Sequence, residues 1–146
     1  MRRLVPLFAV ALIALTSAAS LAAKDGKSRP APSLGGYCPV AYIAMNKAVP
    51  GDPKIASLSE GHRYLFSNAD AKRMFDAEPA KYRVGYDGWC ATAMSMGKKV
   101  KSDPRLFTVH EGVTYLFSNA DAKKMFDGGP AMFVQKADQQ WAALNK

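Results

Sequence analysis

The sequence predicts an α+β protein made of two small repeats, each a β-hairpin followed by a helix, packed with pseudo-two-fold symmetry. Three observations carry this. The segment Tyr64–Asp76 returns at Tyr115–Asp127 with one difference in thirteen positions, Arg73 against Lys124. Ahead of each copy, β-rich runs flank a Glu-Gly pair, Glu60-Gly61 and Glu111-Gly112, as in a hairpin turn. Inside each copy, apolar residues recur at helical spacing after a polar cap sequence.

The elements follow in chain order. Ile55–Leu58 and Tyr64–Phe66 are the expected strands of the first hairpin, and Leu106–Val109 and Thr114–Phe117 those of the second. Ser67 and Ser118 are expected as helix N-caps, with Asp70 and Asp121 three residues on as short capping-box partners. A helix over 68–77 places Ala71, Met74 and Phe75 on one face, and its counterpart follows Ser118. Pro79 and Pro130 are expected to close these helices, and Ala137–Leu144 forms a last short helix with Trp141 and Leu144 on one side. The repeat extends upstream. Asp52-Pro53 matches Asp103-Pro104 at a spacing of 51, while Cys38 matches Cys90 at 52, so one residue was gained or lost between. A hairpin and one short helix bury too little surface alone, so the two copies are expected to share a core.

The organisation read along the chain is a signal peptide over 1–22, a flexible leader over 23–34, a first repeat over 35–84 and a second over 85–146. Met1-Arg2-Arg3 is positive, Leu4–Leu15 is almost unbroken apolar sequence, and Ser20-Leu21-Ala22 supplies the small residues of a cleavage site. The apolar run is shorter than the ~20 residues of a membrane span, and Lys24 stands where a lipidated cysteine would be needed. The expectation is an exported, periplasmic protein without a membrane anchor. Its charge falls from +8 to +6 once Arg2 and Arg3 are removed. The basic residues are dispersed apart from Lys98, Lys99 and Lys101, and export argues against a nucleic-acid partner.

Several of these residues carry a family resemblance. Tyr37-Cys38-Pro39-Val40-Ala41-Tyr42, then Gly51-Asp52-Pro53, Tyr64-Leu65-Phe66-Ser67, Phe75 and Pro79-Ala80-Lys81-Tyr82 resemble the YHS domain over about 35–82, with a looser second copy over about 88–133. Tandem YHS-like proteins exported to the periplasm are the nearest relatives that the resemblance implies, and it implies a metal-binding module, copper foremost. The family's Phe-Cys-Ser-x-x-Cys pattern would place cysteines at Ser67 and Ala71, and at Ser118 and Ala122 in the second copy. This chain has none of the four.

The chemistry available to the chain is narrow. No Cys-x-x-Cys, His-Glu-x-x-His or Gly-x-Ser-x-Gly occurs, and neither His62 nor His110 has a counterpart in the other copy. The expectation is therefore a protein that is not an enzyme. Cys38 and Cys90, equivalent residues near an approximate two-fold axis, have two principal outcomes. One is a disulfide closing a loop of about 50 residues, worth roughly 4 kcal/mol in the chain-entropy account. It would staple an interaction module that recognises an envelope protein without metal. The other is a shared two-thiolate site for a soft metal, best Cu(I), assisted by the thioethers of Met94 or Met96. A third is two buried thiols with no shared role. Methionines also fill gaps in small cores, and Met74 and Met125 are expected to do so.

Overall fold

A computed structural model describes residues 30–146 of the chain. The signal-peptide reading and most of the leader lie outside the described residues. Two antiparallel hairpins and five α-helices follow one another in an order that repeats. The first half runs α1 (Pro39–Met45), β1 (Asp52–Ser59), β2 (His62–Phe66) and α2 (Ala69–Ala77). The second runs α3 (Ala91–Met94), β3 (Asp103–His110), β4 (Val113–Phe117) and α4 (Ala120–Asp127), and ends in α5 (Pro130–Leu144). The fold is α+β, as the patterning indicates.

Both Glu-Gly pairs form the hairpin turns. Ser59 pairs with His62 and His110 with Val113, which leaves two-residue loops. Glu60 and Gly61 have φ of 49° and 80°, and Glu111 and Gly112 have 49° and 77°. Left-handed values at both central residues match the twist of the flanking strands, and glycine takes the second at no steric cost. β1 and β3 begin three residues before the expected strands, because each contains a register shift after Asp52 or Asp103. There the aspartate side chain accepts the backbone N–H two residues on, Lys54 at 2.8 Å and Arg105 at 2.9 Å. Alternation is broken at that point, so periodicity alone finds only the regular end of the strand.

Three local expectations are corrected. The N-caps are Asn68 and Asn119, whose side chains accept the N–H groups of Ala71 and Ala122 at 2.8 Å. An amide oxygen one residue further along reaches the third helical N–H, while the Ser67 hydroxyl turns toward Cys38 instead. Pro130 opens α5 rather than closing α4. Proline suits a first helical turn, where its missing N–H has no acceptor to lose. The helix expected over 137–144 is therefore a fifteen-residue helix. The sequence reading also contained no helix after the cysteines, where α1 and α3 stand. Both are too short to show a helical period.

Each half has its own apolar core. In the first, Cys38, Val40, Ala41, Phe66, Phe75 and Tyr82 meet. In the second, Cys90, Ala91, Met94, Phe117, Phe126 and Ala137 meet, with Trp141 and Phe133 packed against them. A smaller cluster of Tyr42, Val84 and Leu116 joins the halves. The Tyr42 hydroxyl donates to the Pro104 carbonyl at 2.7 Å, and its ring lies 4.8 Å from that of Phe107. The counterpart of Tyr42 is Met94, which faces the core of its own half beneath α5. This contact has no reciprocal, so equivalent apolar faces do not simply meet here. The first half docks on the second hairpin, and α5 covers the corresponding face of α3.

Candidate functional site

The backbone leading into each cysteine is unusual and is built the same way twice. Leu34, Gly35 and Gly36 have φ of 55°, 59° and 86°, and Tyr86, Asp87 and Gly88 have 55°, 52° and 82°. Left-handed Leu, Tyr and Asp cost conformational energy, which the surrounding contacts must offset. Beyond each turn the cysteine backbone is pinned. Cys38 N–H donates to the Val49 carbonyl at 2.8 Å and Cys90 N–H to the Val100 carbonyl at 2.9 Å. The two cysteines then stand at the start of α1 and α3.

Both thiols are fully buried and unpaired. They sit in the separate cores of the two halves. A disulfide and a shared two-thiolate site both need the two sulfurs to meet, and here each lies in its own core. Each cysteine is fixed by its own turn–helix junction, and the halves join through Tyr42 and Leu116 rather than through sulfur.

The methionines divide by position. Met94 is fully buried in the second core beside Cys90 and Phe126. Met96, two residues on, is 60% exposed. It lines a cleft of about 350 Å³ between α3 and α4, together with Cys90, Ser118, Ala122 and Met125. Thr92 braces this cleft by donating its hydroxyl to the Ala122 carbonyl at 2.7 Å. Met125 and its counterpart Met74, expected in the core, are 55% and 43% exposed. On these short helices Phe75 and Phe126 pack into the core, and the preceding methionine lines the groove beside the neighbouring helix. Sequence reasoning missed Met74 and Met125 as cleft residues, because i, i+3, i+4 spacing does not separate the centre of a buried face from its edge.

Chemically, the second-half cleft sets one thiol and two thioethers on the walls of a single cavity. That is a soft donor set. Among the described residues, no three His, Cys, Asp or Glu side chains come together. His62 lies 4.0 Å from Asp87 on the surface, and Asp87 also reaches a cleft of about 440 Å³ at the junction of the halves. That cleft carries Trp89 and Lys101 but no sulfur. No helix among the described residues is long and apolar enough to cross a membrane. Compared with family models, curated proteins and solved structures, the chain matches none.

Proposed function

We propose that this protein is an exported, non-enzymatic binding protein for a soft metal ion, Cu(I) foremost, held through the cysteine of the second YHS-like repeat with methionine assistance. The observation that carries the reading is the second-half cleft, where Cys90 shares a cavity wall with Met96 and Met125. Thiolate and thioether ligands favour Cu(I), whereas magnesium and calcium prefer oxygen donors. Met94 keeps its packing role in the core with Cys90, and Met96, on the cleft wall, is the candidate ligand. Uptake at a thiol replaces its proton with the metal, so binding weakens as pH falls. The role this fits is copper handling or tolerance in the periplasm.

The test uses the chain without its first 22 residues, purified under reductant and handled without oxygen. Intact mass is expected to show two free thiols. Titration with Cu(I) against a competing chelator is expected to give tight uptake that Cys90→Ser weakens by about tenfold or more. Absence of cysteine-dependent uptake in folded protein would overturn the reading.

A further inference from the structure

The first half contains a groove that corresponds to the second-half cleft wall by wall. It lies between α1 and α2 and has a volume of about 220 Å³. Its α2 wall carries Ser67, Ala71 and Met74, which stand 51 positions before Ser118, Ala122 and Met125. Its α1 wall ends in Met45, the counterpart of Met96. Each of these methionines directly precedes a left-handed residue, Asn46 at φ 49° and Gly97 at φ 72°. Cys38 lies behind the groove, where the Ser67 hydroxyl donates to its sulfur at 3.8 Å. From this geometry we infer that the first half holds its own soft-metal site, presented by the thioethers of Met45 and Met74 with Cys38 behind them, so that the chain takes two Cu(I) ions in separate grooves.

Two further observations support the pairing of sites. Cys38 and Met45 are seven positions apart and Cys90 and Met96 are six, so the stretch between them has changed length. The thioether nevertheless occupies the same seat on both groove walls. The near-identity of the helices points the same way. Burial accounts for repeated Tyr64, Leu65, Phe66, Ala71 and Phe75, and helix capping accounts for Asn68. Asp76 and Asp127 accept the hydroxyls of Ser57 at 2.5 Å and Thr108 at 2.6 Å. Met74 and Met125 are exposed and belong to neither core cluster, so packing does not account for their repetition. A soft ligand accounts for both thioether pairs.

The two grooves are unequal. Cys90 lines its cleft, whereas Cys38 stands behind Ser67 and the first groove presents thioethers foremost. A neutral thioether is a weaker donor to Cu(I) than a thiolate, so the first groove fills second. The inference rests on the soft-metal reading above and adds stoichiometry and order to it.

The experiment is the same anaerobic Cu(I) titration, read for equivalents as well as affinity. Two equivalents are expected, with the tighter one lost in Met96→Leu/Met125→Leu and the weaker one lost in Met45→Leu/Met74→Leu. Loss of a ligand is expected to weaken its own groove about tenfold or more, the scale seen even for outer-shell partners of metal sites. Met→Leu conserves volume, and circular dichroism confirms that each variant is folded. A single equivalent, lost in Met96→Leu/Met125→Leu and untouched by Met45→Leu/Met74→Leu, would overturn the inference. Two equivalents indifferent to Met45 and Met74 would also overturn it. No uptake at all would remove the parent reading as well.

Discussion

Asn68 and Asn119 show how much one atom's reach decides at the residue scale. Each sits in extended backbone, with φ of −161° and −158°, and closes the first turn of its helix with a side-chain oxygen. The neighbouring serines have suitable chemistry but stand one residue too early. Asn119→Ala is expected to destabilise the protein by about 1 kcal/mol, the usual worth of an N-cap. Ser118→Ala should cost much less, and urea unfolding at unchanged slope would separate the two. Polar residues elsewhere on the helices have local partners. Lys72 and Lys123 pair with Asp76 and Asp127, one turn further along. The Lys72 ammonium and the Ser57 hydroxyl hold Asp76 below the usual carboxylate range. These exposed pairs contribute little energy individually.

At the scale of elements, α5 is what separates the two halves. α1 buries Tyr42 against the second hairpin, and α3 buries Met94 beneath α5. The last helix thus covers a face that has no further repeat to dock on. Trp141 holds it there, with its ring 5.9 Å from that of Tyr86 and the Lys99 ammonium 5.1 Å above it. The Tyr86 hydroxyl completes the contact by donating to Asp138 of α5 at 2.9 Å. Burial, then that bond, pushes the Tyr86 phenol well above its ordinary range. Trp141→Ala is expected to cost about 2–3 kcal/mol, less than for a fully buried aromatic because the ring is only partly covered. The expected readout is a lower urea midpoint. A shift under about 0.5 kcal/mol, the range of ordinary surface substitutions, would show that α5 is not anchored through this ring.

For the whole molecule, the decisive contact is Tyr42 with Pro104 and Phe107. Tyr42→Phe removes one buried hydrogen bond and is expected to cost about 1 kcal/mol. Burial raises the Tyr42 phenol well above its usual range, with the nearby Tyr37 and Cys38 adding to the effect. A group whose pKa rises on folding supports the native state fully below its unfolded value. Its contribution falls once pH passes about 10, where the unfolded tyrosine ionises. Stability should therefore decline above that pH, and Tyr42→Phe should flatten part of the decline. Tyr64, Tyr86 and Tyr115 are raised for the same first reason, burial, and account for the rest. Tyr42→Ala removes the ring as well and should let the halves unfold in separate steps, visible as two transitions by calorimetry.

Repetition, hairpin turns and the α+β class are legible in the sequence because they rest on local interactions. Glu-Gly pairs take left-handed φ within a few residues, and alternation and helical spacing report nearest neighbours along the chain. The sequence by itself likewise set the soft donors available to the chain, two cysteines and seven methionines. Which sulfurs share a cavity was decided only by tertiary structure. Equivalent positions in a repeat become neighbours only if the repeats pack reciprocally. The Tyr42 contact is not reciprocal, so Cys38 and Cys90 stay in separate cores and Met94 is enclosed. Met74 and Met125 were assigned to the core by spacing, yet they face grooves, because a helix's burial is set by the helix beside it. Cys90 therefore lines one groove while Cys38 lies behind the other, and the Met45 and Met74 titration asks whether both grooves hold metal.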